Sequence, residues 1–354
     1  MKAKQIFKAA VAAAVLTFVG AQTVSAKSWR VNNNSTKKAN FVDINAAMAS
    51  ADVVAGDTLY LDPGSVLASA QTISKVVTVI GPGYFLQNGM VAATINNTVN
   101  ISAEGTKLNG VSVNGGVNIQ ANNITLERCK INKHVISYKG PRYGLTVLQC
   151  FINNPNASNL IEGEFRNATI KNNIIINSCT YYSGSYCYST AIANVHDSEI
   201  ANNYLAVNNT TYNREVLYNV TNSQIYNNII KHGSYPDRIF ANSASDYNNS
   251  FYNNVVTAAE GTYSNVSNIV WLGSADMSTV FAEGTDDAAY HLKEGSPAKG
   301  AAADGGDCGP YGGANPYVEG GKPLFHPFIN DVTVSVKPVN GKIKLKLNAK
   351  MQNE

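Results

Sequence analysis

The sequence predicts an all-β solenoid, a parallel β-helix, on three observations. The first is a recurring phrase: an apolar residue, a variable position, an Asn pair, then an apolar pair. It reads Ile170-Lys171-Asn172-Asn173-Ile174-Ile175, and returns around Asn203, Asn228 and Asn254. Two earlier copies carry Cys129 and Cys150 at the second Asn position. Successive copies step by roughly 21 to 30 residues, the range of a stacked repeat. The second observation is another short apolar run between phrases, as in Val135-Ile136, Leu160-Ile161 and Val216-Leu217. Each repeat thus offers at least two short strands separated by polar turns, too little for a propeller blade. The third is composition. Helix-period stripes are absent from the repeats, and beyond residue 26 Asn makes up roughly one residue in seven, far above ordinary usage.

The elements follow in chain order. Lys2, Lys4 and Lys8 precede a short apolar run, Ala9 to Val19, and Val24-Ser25-Ala26 ends it with small residues. Residues 1–26 therefore read as a secretory signal peptide, and the chain is expected to be secreted, periplasmic or at the cell surface. The formal charge of +3 lies there: without its three lysines the chain carries 24 basic against 24 acidic residues. That balance argues against nucleic acid as a partner, and no later stretch is apolar enough for membrane insertion.

Residues 27–75 are expected to form an N-terminal cap and first strand. Asp43 is placed to cap a helix starting at Ile44, and Gly56 to Gly64 reads as turn, strand, turn. Residues 76–320 are expected to hold the β-helix. Stacked coils bring equivalent side chains over one another, so Asn173, Asn203, Asn228 and Asn254 are expected to form a structural amide ladder. A lone buried Asn costs about 1–3 kcal/mol, and a stack satisfies its inner members. Residues 321–354 read as a β-hairpin tail turning near Asn340-Gly341, either a cap for the coil or an appended element.

Five cysteines in an exported chain invite pairing. Cys179 and Cys187 bracket a Tyr-rich loop and are the expected disulfide. Cys129 and Cys150 stack either as inward thiols or as a bonded pair. None of the five has metal-ligand spacing.

The opening around Ile44-Asn45-Ala46-Ala47 and Gly56-Asp57-Thr58-Leu59-Tyr60-Leu61-Asp62-Pro63-Gly64 resembles the start of secreted right-handed β-helix proteins of the pectin-lyase-like superfamily. So do the rungs. His291-Leu292-Lys293-Glu294-Gly295-Ser296-Pro297-Ala298 resembles a common end of such chains, especially in Bacteroidetes-type secreted proteins. The resemblance implies a right-handed coil over residues 40–320. It also implies chemistry on uronic-acid polysaccharides, needing a base and a group that neutralises the uronate. The aligned Asp set of Ca²⁺-dependent lyases is missing. The motifs of polygalacturonase-like hydrolases are incomplete, at Lys231-His232-Gly233 and Arg238-Ile239.

What remains is a metal-free arrangement. Arg214, Lys231, His232 and Arg238 are the candidate catalytic groups, with His232 or Lys231 as base; surface salt bridges explain the same residues equally simply. Lys139 and Arg142 lie in a basic stretch that begins at Arg128, either a solvated face or an anionic-glycan contact. Tyr181, Tyr182, Tyr186 and Tyr188 sit where one repeat is lengthened, and insertions in repeats map to loops on one face. Their rings suit stacking on sugars, or packing on the coil wall. Two functional readings result. One is a non-catalytic glycan-binding or cell-surface module. The other is a metal-independent polysaccharide lyase acting on an acidic, uronate-containing glycan. Polysaccharide or cell-surface glycan is the partner in both, and no cofactor is expected.

Overall fold

A computed structural model describes residues 26–86, 90–155, 159–179, 190–208, 215–233, 239, 247–323, 328–334 and 345–350. The signal-like segment lies outside them. The chain winds through three parallel sheets of 11, 10 and 8 strands, named here the first, second and third walls in the order of one coil. Thr169–Lys171, Ile174–Asn177 and Ile192–His196 make one such circuit before Glu199–Ala201 rejoins the first wall. Parallel crossovers of this kind are right-handed, and the fold is a right-handed parallel β-helix.

Alternation along each short strand sends one residue inward. Ile170, Ile200, Ile225 and Phe251 stack in the first wall. Ile152, Ile175, Leu205, Ile230 and Val256 stack in the second, and Ile161, Ile192 and Leu217 in the third. All belong to one continuous buried cluster. Two strands per repeat were visible in the sequence; the three-residue first-wall strands at the start of each phrase complete the triangle.

The Asn pair divides its labour. Its first member turns the corner from the first to the second wall in the left-handed region, at Asn172, Asn202, Asn227 and Asn253 with φ of 54°, 53°, 56° and 51°. Asn tolerates that conformation better than most residues. The second member points into the coil. The backbone N–H of Asn173 donates to Asn203 Oδ1 (2.9 Å), that of Asn203 to Asn228 Oδ1 (2.9 Å), and that of Asn228 to Asn254 Oδ1 (2.9 Å). Each Nδ2 also donates to a carbonyl of a neighbouring coil, as Asn203 does to Ile170 (2.8 Å). Cysteine extends the series: Cys150 N–H donates to Asn173 Oδ1 (2.8 Å), and Cys129 N–H to Cys150 Sγ (3.4 Å). Cys129, Cys150 and Cys308 are free, buried thiols. Cys179 is buried, and its expected partner Cys187 lies outside the described residues.

A second ladder, not legible beforehand, runs at the corner from the third to the first wall. Asn167, Asp197, Asn222 and Asn248 take positive φ there. After them, Ala168 N–H donates to Ser198 Oγ (2.9 Å), Ser198 N–H to Ser223 Oγ (3.1 Å), and Ser223 N–H to Asn249 Oδ1 (2.9 Å).

The coil begins earlier and ends sooner than the repeats suggest. Thr58–Leu61, Val66–Leu67 and Gln71–Ile73 already occupy one wall each, and Ser28–Val31 pairs beneath Thr58–Leu61. The helix Ile44–Ala49 caps this end; Asp43 accepts from Ala46 N–H (2.7 Å), and Ile44, Ala47 and Met48 are buried. Regular strands of the coil stop at Val270–Trp271. The chain then folds back along the second wall as a strap. Ala303 N–H donates to Asn227 Oδ1 (2.9 Å), and Asn172 Nδ2 donates to Pro310 O (3.0 Å) and Gly312 O (2.7 Å). Gln149 Nε2 donates to Pro316 O (2.6 Å), and Tyr84 N–H to Gly320 O (2.6 Å). The side chains of the left-handed corner thus grip the strap coil by coil. Gly321, at φ 55°, passes so close to Tyr84 that any Cβ would enter its ring. Phe328–Val334 and Leu345–Lys350 form a separate antiparallel pair.

The strap covers an apolar outer face. Phe151, Ile174, Tyr204, Ile229 and Val255 pack under Val280, Ala298, Ala302, Cys308 and Tyr317. Burial pushes the Cys308 thiol up to about 12. Asp287 is buried there too, accepting from Tyr317 Oη (3.1 Å) and Gly320 N–H (2.6 Å), while Tyr317 and Tyr84 hydroxyls meet at 2.6 Å.

Candidate functional site

Length variation concentrates at one corner. The connection from the second to the third wall is residues 132–134 in one coil, 155–160 in the next, 178–191 after that, then 208–216. In these coils the first-to-second corner stays at two residues, although an earlier coil lengthens it at 81–93, and the third-to-first connection at 137–145 carries the Arg142–Tyr143 strand. The lengthened connections include Tyr181, Tyr182, Tyr186 and Tyr188, which lie outside the described residues. In repeat proteins the face that receives insertions is often the binding face, and this corner borders the third wall.

The outer face of the third wall is polar and unroofed by the strap. One row runs Asn100, Asn118, Ile136, Glu162, Ala193, Tyr218 in register. A bulge interrupts it. Gly163, at φ 154°, shifts the register between Glu162 and Phe165, and Arg142–Tyr143 pairs beside Phe165 and Arg166 as an extra short strand. Bulges re-aim side chains and recur beside functional sites. Here the bulge aligns a second outer row: Tyr143, Arg166, His196 and Thr221. Arg166 pairs with Asp197 (2.9 Å), and His196 Nδ1 lies 2.7 Å from Thr221 Oγ1. Burial lowers the pKa of His196, the Arg166 charge lowers it further, and Asp197 and Glu164 pull against both.

Two properties set this wall apart. The exposed aromatic side chains among the described residues are Tyr138 (71%), Tyr143 (44%) and Tyr218 (40%), and all three belong to it or to its edge. Of six buried side-chain polar atoms without a hydrogen-bond partner among the described residues, three, Asn118 Oδ1, Ser137 Oγ and Arg142 Nε, lie on it or at its edge. Such atoms are few in folded proteins and each demands a partner from solvent or a ligand. Ser137 abuts Gly163 at the bulge. Register sets Arg142 on the side of Phe165 and Tyr143 on the outer side with Arg166.

The sequence-derived site does not assemble as one cluster. His232 is fully buried in the second wall, where Ile230 and His232 alternate inward and its N–H donates to Thr257 Oγ1 (3.1 Å). Burial inside the coil removes it as a base reachable by polymer. Lys231 stands on the second wall, whereas Arg142 pairs with the third; burial lowers the Lys231 pKa, and the Asp276 charge pulls the other way. Arg214 and Arg238 lie outside the described residues. Lys139 is exposed in the turn beside Tyr138. The rest of the basic stretch disperses. Arg128 is buried against Glu127 (3.0 Å) and Gln149 (2.7 Å), and Lys130 lies 4.3 Å over the Phe85 ring. His134 is buried beside Gly116, and burial takes its pKa down to about 4. Sequence reasoning passed over Tyr143, Arg166 and Tyr218, and it read His196 as an isolated surface or turn residue. The only signal was the alternation of Ile161 to Arg166, which the bulge at Gly163 breaks.

Among the described residues no group of three or more His, Cys, Asp or Glu is arranged to hold a metal ion. No helix among them is long and apolar enough to cross a membrane. No family model matches the chain, and no curated protein matches it. Among solved structures the chain is similar to a crystal structure of pectate lyase Pel9A. Identity is 13%, the TM-score is 0.47, and the match covers 82% of this chain and 97% of that one. Neither activity nor site residues pass to this chain from a likeness of that kind.

Proposed function

We propose that this protein is a non-catalytic module, exported or displayed at the cell surface, that binds polysaccharide along the outer face of its third wall. The observation that carries this reading is the placement of Tyr138, Tyr143 and Tyr218, three exposed rings on one polar wall. Flat rings stack on the apolar faces of sugars, while flanking amides and charges bond their hydroxyls. Asn100, Asn118, Glu162 and Lys139 supply such groups. The Tyr-rich segment 181–188 joins the wall at the lengthened corner and would extend the contact.

A metal-independent lyase acting on acidic glycan is the second reading, favoured by one observation: His196 beside Arg166 on the same face. A neutral imidazole there can accept a proton and the guanidinium can meet a carboxylate. One experiment separates the two. The protein is run through gels containing neutral or acidic polysaccharides, and the same polymers are assayed for unsaturated product by ultraviolet absorbance. Retention without product, lost in the Tyr143→Ala, Tyr218→Ala double variant, supports binding. Product that disappears in His196→Ala establishes the lyase instead. Neither retention nor product overturns both.

A further inference from the structure

A second aromatic feature lies on a different face. On the first wall Tyr226 and Tyr252 occupy the same outer position in adjacent coils. Their rings stack at 5.0 Å with only 5° between planes. The Tyr226 hydroxyl donates to Glu199, which also pairs with Lys171 (2.6 Å). The Tyr252 hydroxyl donates to Gln224 Oε1 (3.4 Å). The rings are thus held upright from one side, at the cost of no buried charge. In the next coil the register position above Tyr252 is Ser267, which is small and exposed. The far face of the Tyr252 ring therefore overlooks a step in the wall, not another side chain of its own size. Gln224 and Ser250 beside it are exposed.

The surrounding charge narrows what fits. Glu199 is balanced by Lys171. On the other flank the strap runs past Asn227, held by the Ala303 N–H bond, and brings Asp304 close enough to act on Tyr226. The neighbourhood is left with one carboxylate in excess. We infer that the open face of Tyr252 above Ser267 is a second saccharide site, separate from the third wall, which takes a neutral pyranose ring and rejects uronates. Ring stacking would supply the contact, and the exposed Ser250 and Ser267 the hydroxyl partners. A carboxylate-bearing sugar would meet the unbalanced Asp304 as a like charge.

The test uses the full chain in affinity gels containing either a panel of neutral polysaccharides, galactomannan among them, or polygalacturonate. Four proteins are compared: wild type, Tyr252→Ala, Tyr252→Phe and Ser267→Tyr. Ser267→Tyr continues the ring stack and fills the step without removing any packing. At least one neutral polymer should retain the wild type and Tyr252→Phe. Tyr252→Ala and Ser267→Tyr should weaken that retention tenfold or more, while all four behave alike on polygalacturonate. The site is overturned if no neutral polymer retains the wild type, or if Ser267→Tyr is retained unchanged. It is also overturned if neutral retention depends on Tyr143 and Tyr218 but not on Tyr252, an outcome that leaves the third-wall reading standing.

Discussion

The second and third walls are built from the same repeat, yet only one is covered. The second wall turns Phe151, Ile174, Tyr204 and Ile229 outward and hides them beneath the strap. The third turns Asn100, Asn118, Glu162 and Tyr218 outward, with Ile136 and Ala193 of the same row buried between them. One sheet's outer face is packed beneath the strap; the other's is largely polar. The difference teaches where to look in a solenoid: the wall whose outer residues remain polar and incompletely satisfied, beside the corner that accepts insertions.

The comparison predicts opposite outcomes for substitutions on the two sides. The largest effect belongs to the ladder behind the covered wall. Asn203→Ala leaves the Asn173 backbone N–H and side-chain amide without their acceptor and frees the Ile170 carbonyl. The loss should be about 3 kcal/mol or more in urea unfolding, with glycan retention intact under native conditions. Next comes the corner that grips the strap. Asn172→Gly keeps the left-handed turn and loses the two bonds to Pro310 and Gly312; it should cost about 1–2 kcal/mol. Asn172→Ala should cost about 1 kcal/mol more, because Ala resists positive φ. If the two variants melt alike, backbone strain contributes nothing at that corner.

A smaller effect depends on pH. Burial raises the pKa of Asp287, and the bonds from Gly320 and Tyr317 only partly oppose it. A carboxyl raised on folding stabilises the fold below its unfolded pKa, and that contribution is lost as pH climbs through the folded value. Relative to Asp287→Asn, wild type should therefore lose thermal stability as pH rises out of the ordinary carboxylate range. A constant difference in Tm between the two would contradict this. Smallest in stability are Tyr143→Ala and Tyr218→Ala on the bare wall, each within about 0.5 kcal/mol of wild type. A destabilisation of several kcal/mol there would show that these rings hold the fold together.

The sequence showed the ladder because Asn173, Asn203, Asn228 and Asn254 repeat the same residue at the same offset. It hid the second ladder because Ala168, Ser198, Ser223 and Asn249 do the same work with different side chains. Three-residue strands such as Glu199–Ala201 are too short for a period to register. The strap was invisible for another reason. Segment 299–321 has no periodicity, and its bonds to Gln149, Asn172 and Asn227 span long separations in the chain. The expected site went astray at His232 through a question of parity. One position along a strand decides whether a side chain faces polymer or core, and Ile230 fixes that parity for His232.

The strap also returns the described chain toward its start. It carries Pro323 to within contact of Gly110, close to the coils that begin the solenoid, where Ser28–Val31 pairs with Thr58–Leu61. The last coil, at Trp271, stands seven strand spacings further along the axis, about 34 Å from the level of Gly110. The described chain thus enters the solenoid and leaves the strap near one end, with the last coil at the other and the second wall roofed in between.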